Sequence, residues 1–273
     1  MALYTVSDIT RAAEALWPAA GAEGWDAPGL VCGVADAPVG LLMLAVDAVI
    51  DTVEEAVAAE AGMLLVHHPL LMRGVTSISS DQYKGALLSR LIKADCALLS
   101  AHTNADIVDS GTSAVLGQRL GLHNTFPIEV GRDSDSGLGR VGSLVAPIAL
   151  GRLARTLGEI LPATAGGILV SGEFDRPITT VAVCAGAGDA FLGHPAVLAA
   201  DVFITSDLRH HPASEARENA RLNTGPALIN VSHWASEWLW LSTAAGQLRD
   251  QLPGLTVLVS DLRTDPWDFA VLQ

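Results

Sequence analysis

The chain has 273 residues, half of them hydrophobic, and a formal net charge of −14. This length and apolar content suit one large or two modest globular domains with proper cores, and exclude a disordered or low-complexity chain. The acidity and the lack of any Lys/Arg cluster exclude a broad nucleic-acid-gripping surface and disfavour an anionic membrane surface. Cys32, Cys96 and Cys184 stand far apart, without CxxC spacing and in apolar surroundings, so they read as small buried hydrophobes in a reducing compartment. The start of the chain meets Asp8 and Arg11 early and does not read as a signal peptide. Leu41 to Ile50, the longest apolar run, is broken by Asp47 and is too short to span a bilayer. A cytoplasmic protein is expected.

Ser7 to Leu16 reads as an opening helix capped by Ser7, with Ile9, Ala12, Ala13 and Leu16 at helical spacing. Trp25 to Leu30 reads as a surface turn pinned by a buried indole. Leu41 to Val46 is an apolar strand, Thr52 to Glu60 an amphipathic helix closed by Gly62, and Met63 to Val66 a strand that stops at His67-His68-Pro69. Ser80 to Lys93 is helical, and Cys96 to Ser100 is a strand running into His102-Thr103-Asn104-Ala105-Asp106. Ala114 to Leu120 is the next helix. Strand and helix alternating in this way predict an α/β fold built on mostly parallel sheets. The Gly-, Asp- and Ser-rich stretch from Asn124 to Gly142 marks the expected boundary between two lobes, 1–130 and 131–273. Beyond it come a helix from Pro147 to Ile160 and strands at Gly167 to Val170 and Ile178 to Cys184. A Gly186-Ala187-Gly188 turn and a short helix at Ala196 to Ala200 follow. Val202 to Thr205 is a strand that precedes Asp207 and His210-His211, and Ala213 to Asn219 is helical. Ala227 to Val231 is a strand ending at Ser232-His233, Trp234 to Leu248 a helix, and Leu255 to Val259 the last strand.

Four apolar strands therefore end in ligand-capable groups: His67-His68, His102 with Asp106, His210-His211, and His233. Open α/β sheets bind ligands at the carboxyl ends of their strands. Adjacent side chains on a strand point to opposite faces, so His67 and His68 converge only if the chain turns, which Pro69 favours. His233 and Glu237 lie four apart at a helix start, one turn from each other on the same face. His67, His68, Asp106, His233 and Glu237 form a mixed imidazole and carboxylate set larger than the usual three protein ligands of one catalytic zinc. Five such groups suit two ions roughly 3.5–4 Å apart, and Zn, Fe, Mn or Ni would all accept these donors. The competing reading is a group of unrelated polar strand ends. His102 is a candidate for an outer-shell or proton-transfer role, or for holding its loop. His123 and His194 read as solvated surface residues. The Gly186 turn lacks a full GxGxxG and carries Asp189, so it reads as a tight turn rather than a phosphate cradle. No GxSxG elbow is present.

These motifs carry a resemblance. Trp25-Asp26 with Gly29-Leu30 and Gly33, Asp47, Leu65-Val66-His67-His68-Pro69-Leu70, and Ser100-Ala101-His102-Thr103-Asn104 with Asp106 form its first part. Gly139-Arg140-Val141-Gly142, Thr205 with Asp207, and Asn230 with His233 and Glu237 form its second. Nearly end to end, the chain resembles the Nif-three-like dinuclear metal-centre family, whose members are often labelled GTP cyclohydrolase type-two homologues. The resemblance implies two α/β lobes around a metal cleft, two divalent ions held by His67, His68, Asp106, His233 and Glu237, and a homo-hexamer built as a trimer of dimers. It also implies a small-molecule substrate, such as a nucleotide, for a metal-dependent hydrolase, the alternative being a non-catalytic metal-binding or regulatory scaffold. At this length the chain resembles the short form, without the inserted middle domain. It departs from the family pattern at Ala105 (usually Leu), Ser232 (usually Gly), Cys184-Ala185-Gly186-Ala187-Gly188 (which loses a serine) and Thr205-Ser206-Asp207. No ligand type is lost by these changes, but they touch the residues that would shape a pocket.

Overall fold

A computed structural model describes residues 4–131 and 136–271. It divides the chain into two units: the residues up to Ala105 with Leu241–Thr264, and Asp106–Trp240 with the residues from Asp265 onward.

The first unit is built on a five-stranded sheet in the order Thr256–Val259, Leu41–Ala45, Met63–Val66, Ala97–Ser100, Gly29–Cys32. The first three pairings are parallel and only Gly29–Cys32 runs antiparallel to its neighbour. Met63–Val66 and Ala97–Ser100 are buried at every position, as expected of central parallel strands covered on both faces. Helices Ile50–Ala58 and Tyr83–Lys93 set Val53, Ala56, Leu87, Leu88 and Leu91 against Leu64, Val66 and Leu98. The opening helix spans Val6–Leu16, and its cap is Thr5 rather than Ser7. The Thr5 hydroxyl accepts from the Asp8 N–H at 3.2 Å, and the Asp8 carboxylate accepts from the Thr5 N–H at 2.8 Å, so two orphan donors are satisfied at once. Gly29–Cys32, expected as the end of a loop, is a strand because it pairs with Ala97–Ser100. Trp25 is 59% exposed, so the expected buried indole is not what pins this turn. The neighbouring Asp26 does that, with its side chain wholly buried.

The second unit is built on a six-stranded sheet in the order Leu169–Ser171, Ala227–Val231, Val202–Ser206, Pro177–Ala187, Arg140–Ala149, His123–Phe126. Its three central strands are parallel, and antiparallel strands flank them on both sides. Ala182, Phe203 and Leu228 pack with Phe191 and Val197 in its core. The helix expected from Pro147 begins only at Leu150. Pro147 lies in the irregular stretch between Ser143 and Ile148, where strand pairing shifts register. A proline without an N–H is tolerated at such an irregularity, although in sequence it reads equally well as a helix start.

The boundary expected at 130/131 falls inside the second unit. His123–Phe126 pairs with Arg140–Ala149, and the Gly137 N–H donates to the Ile107 carbonyl at 2.8 Å. The glycine-rich stretch is thus a connection within one unit, and its residues 132–135 lie outside the described residues. Among the described residues, no helix is long and apolar enough to cross a membrane.

Candidate metal centre

Parallel neighbours deliver their carboxyl ends to the same side of a sheet. In the first unit, Leu41–Ala45, Met63–Val66 and Ala97–Ser100 thus bring Asp47, His67-His68 and His102 together. The chain bends at His67-His68, where the His67 N–H donates to the Val46 carbonyl at 3.1 Å and the His68 N–H to the same carbonyl at 2.9 Å. The two rings converge, with centroids 5.0 Å apart, and His102 lies 5.1 Å from His67 and 5.5 Å from His68. One ligand atom from each of the three falls within 4.8 Å of the others.

Each ring is held by Nδ1. His67 donates from Nδ1 to the Ala101 carbonyl at 2.8 Å, His68 to Asp47 Oδ1 at 2.7 Å, and His102 to Asp26 Oδ1 at 2.8 Å. A carbonyl or carboxylate only accepts, so Nδ1 carries the proton and the neutral ring has its lone pair on Nε2. Asp26 is held in turn by the Thr103 N–H at 3.0 Å and the Thr103 hydroxyl at 2.5 Å, both on Oδ2. Burial raises its pKa, but the hydrogen bonds from His102 and Thr103 outweigh that and hold the carboxyl down at about 2. Asn104 fixes the same turn, accepting from the His102 N–H at 2.9 Å and donating to the Trp17 carbonyl at 2.7 Å.

In the second unit, the parallel strands Val202–Ser206 and Ala227–Val231 end at Asp207 and just before His233. His233 donates from Nδ1 to Asp207 Oδ2 at 2.6 Å, and its Nε2 lies 2.9 Å from Glu237 Oε1, one helical turn on. Burial works against a charged imidazole here, but Glu237 and Asp207 outweigh it and push the His233 pKa up to about 11. Asp207 reaches the ring from a left-handed backbone with φ of 57°, a conformation that Asp tolerates better than most residues. Asp106 accepts from the Thr112 hydroxyl at 2.5 Å. Asp106 and Glu237 both bear on Cys184, whose thiol is pushed up to about 12 by burial first and then by these two charges.

Gly186 completes this group in the second unit. Its N–H donates to the Ser236 hydroxyl at 2.9 Å, and its carbonyl accepts from the Thr205 hydroxyl at 3.0 Å. A Cβ at Gly186 would lie 2.4 Å from Glu237 Oε1 and 3.2 Å from His233 Nε2. The turn thus has a specific task, because only glycine lets the chain pass this carboxylate and imidazole. Ser232, in place of the family's glycine, accepts from the Ala235 N–H at 3.2 Å and donates to Asp265 at 2.5 Å.

These residues fit a divalent cation. The donors are the Nε2 atoms of His67, His68 and His102, that of His233 once a cation displaces its proton, and carboxylates, all suited to Zn, Fe, Mn or Ni. Their rings are held from behind as metal-binding histidines usually are, and Gly186 keeps the space beside Glu237 and His233 clear of a side chain.

The third strand end contributes Asp207, whereas His210 and His211 lie exposed at the start of the His210–Leu222 helix. His123 is exposed in its strand, and His194 caps a short helix by accepting from the Ala196 N–H at 3.2 Å.

The family profile described as Duf34/NIF3 (NGG1p interacting factor 3) matches residues 4–266. The chain belongs to the DUF34/NIF3 family. A Streptomyces coelicolor protein named GTP cyclohydrolase 1 type 2 homolog is 44% identical over 271 residues, covering 96% of this chain and 93% of its own length. A Mycobacterium leprae protein of the same name is 29% identical over 371 residues, covering 96% of this chain and 95% of its own. That relative therefore carries a stretch this NIF3 chain lacks. The crystal structure of a Bacillus cereus protein related to NIF3 matches with a TM-score of 0.86 at 20% identity, covering 99% of this chain and all of that one, which supports the fold.

For this NIF3 chain, sequence reasoning named the histidines and left the residues behind them without roles. Asp47 and Asp207 lie within two residues of a strand end and were open to the same strand-end logic. Asp26 carried only the signal of its motif, and nothing in the sequence pointed to the Ala101 carbonyl.

Proposed function

We propose that this NIF3-family chain binds two divalent metal ions through His67, His68, Asp106, His233 and Glu237, and uses them to hydrolyse a small molecule. The observation that carries this reading is the uniform Nδ1 arrangement: His67, His68, His102 and His233 each present that nitrogen to a fixed carbonyl or carboxylate. Surface histidines have no need of such fixing, whereas metal ligands depend on it. His102 is equipped in the same way, and we assign it to the donor set as well.

When bound, such ions supply the Lewis acidity that activates water and polarises an electrophile. The chain's own part is orientation. Asp26, Asp47 and Asp207 hold the Nδ1 protons, and Thr112 holds one oxygen of Asp106. Relatives bear the name GTP cyclohydrolase 1 type 2 homolog, which makes hydrolytic opening of a purine nucleotide ring the first reaction to assay.

Purified protein is expected to carry about two metal equivalents per chain, and His67→Ala or Glu237→Ala to lose at least one. Full occupancy in both variants would overturn the assignment. Metal-loaded protein is then screened against nucleotides, phosphodiesters and small cyclic amides. Turnover abolished by Glu237→Ala supports the hydrolase, and none across the panel makes the protein a metal-binding scaffold. If His102→Ala keeps its metal and loses turnover, His102 moves proton rather than binding metal.

A further inference from the structure

We infer that Thr264 is a positioning residue of the metal centre, acting on His68 through Asp47; this rests on the assignment of His68 as a metal donor. The Thr264 hydroxyl donates to Asp47 Oδ2, while Asp47 Oδ1 accepts from His68 Nδ1 at 2.7 Å. The two partners thus take one carboxylate oxygen each.

That division matters because of how an aspartate is held. The Asp47 backbone is anchored where its carbonyl accepts from the Thr52 hydroxyl at 2.7 Å. The carboxylate can still rotate, since the terminal torsion of Asp is broad rather than confined to staggered wells. One hydrogen bond to His68 does not set the carboxylate plane. A second partner on the other oxygen does, and with it the direction in which the imidazole is held.

The same device occurs independently at the neighbouring histidine. Asp26 gives Oδ1 to His102 and Oδ2 to the Thr103 hydroxyl. There the threonine is the next residue after the histidine, whereas Thr264 lies 217 residues from Asp47.

The topology explains how so distant a residue arrives. Thr256–Val259 pairs in parallel with Leu41–Ala45, with Val259 opposite Leu44, so both strands end on the same side of the sheet. Past that point the chain stays pinned to this unit: the Ser260 N–H donates to the Leu44 carbonyl at 2.8 Å, and the Ser260 hydroxyl to Glu55 at 2.5 Å. Thr264 follows half-buried, between exposed residues 261–263 and 266–271.

The test uses the full-length chain and Zn²⁺ alone, titrated in competition with a chromogenic chelator. Thr264→Val keeps the shape and removes the hydroxyl. It is expected to weaken Zn²⁺ binding about tenfold, the lower end of what losing an outer partner costs a metal site. Thr264→Ser is expected to bind like the parent, and the metal-free melting temperatures of the three proteins to agree. Long-range ¹H–¹⁵N spectra should show the His68 ring losing its single tautomer in Thr264→Val. Parental affinity and an unchanged His68 tautomer in Thr264→Val would overturn the inference, as would a Thr264→Ser variant as weak as Thr264→Val. If Thr264→Val does not fold, Thr264→Ala takes its place with the same expectations. His68→Ala is run alongside. If it keeps its metal, the donor assignment itself has failed; if it loses metal while Thr264→Val does not, only the role of Thr264 falls.

Discussion

Asp26, Asp47 and Asp207 show how much of a candidate metal centre lies one hydrogen bond behind the histidines that could hold the ion. Each accepts from the Nδ1 of a different histidine. Exchange for asparagine removes the charge and allows the amide to present its NH₂ instead. Asp47→Asn and Asp207→Asn are each expected to lose 10- to 100-fold in metal affinity, read by competition titration. Unchanged affinity in both would mean that the rings are held by packing alone. Gly186→Ala is expected to be more damaging. Its methyl would meet Glu237 Oε1 at 2.4 Å, on a backbone whose φ of 72° already disfavours a side chain. Lost metal and a lowered melting temperature are expected together, and a variant that keeps both would show that this turn can yield. At this scale the sequence was legible for residues whose chemistry is conspicuous. Six strand-end histidines and two carboxylates stood out by type and spacing; His67, His68 and His102 gather in the first unit and His233 meets Glu237 in the second, while His210 and His211 stay exposed. Asp26 and Thr264 did not stand out, because an Asp or Thr in a loop carries no sign of what it touches after folding.

Helices and strands explain why the donors arrive where they do. The apolar runs Met63–Val66 and Ala97–Ser100 were legible because a strand covered on both faces needs no alternation, only continuous hydrophobes. Their packing is expected to dominate stability. Leu65 is fully buried, and Leu65→Ala should cost about 2–5 kcal/mol, against about 1 kcal/mol for Thr5→Ala, which removes one helix cap. Chemical denaturation ranks the two, and the reverse order would count against this sheet as the core of its unit. Gly29–Cys32 and Arg140–Ala149 were not legible as strands. The former is stabilised by pairing with a strand some seventy residues away, and Pro147 in the latter carries a helix-start signal that register irregularity overrides. The start of the His233–Gln251 helix was plain from the i, i+4 pair, yet Asp265 was not visible as the acceptor for Ser232. Asp265→Asn is expected to loosen that helix start, raising amide exchange at Ala235, whose N–H donates to Ser232.

For the molecule as a whole, composition bounded the class correctly, but the boundary between units did not follow the composition. The glycine-rich stretch proved to be a connection within a unit, while the division itself follows Ala105, inside the densest motif of the sequence. We further propose the homo-hexamer that the family resemblance implies. Light scattering should return about six times the 28.3 kDa chain mass, and a monomer would remove that proposal. The four imidazoles also differ in how they are inherited. Three depend on an aspartate side chain, which a single substitution removes. The fourth, His67, rests on the main-chain carbonyl of Ala101, and the Ala101 N–H is itself tied to Val66 at 3.0 Å. A peptide carbonyl has no codon of its own. In a saturation screen for metal retention, positions 26, 47 and 207 should fail through lost acceptors. Position 101 should fail only by crowding, leaving His67 as the imidazole whose aim point mutation cannot readily disarm.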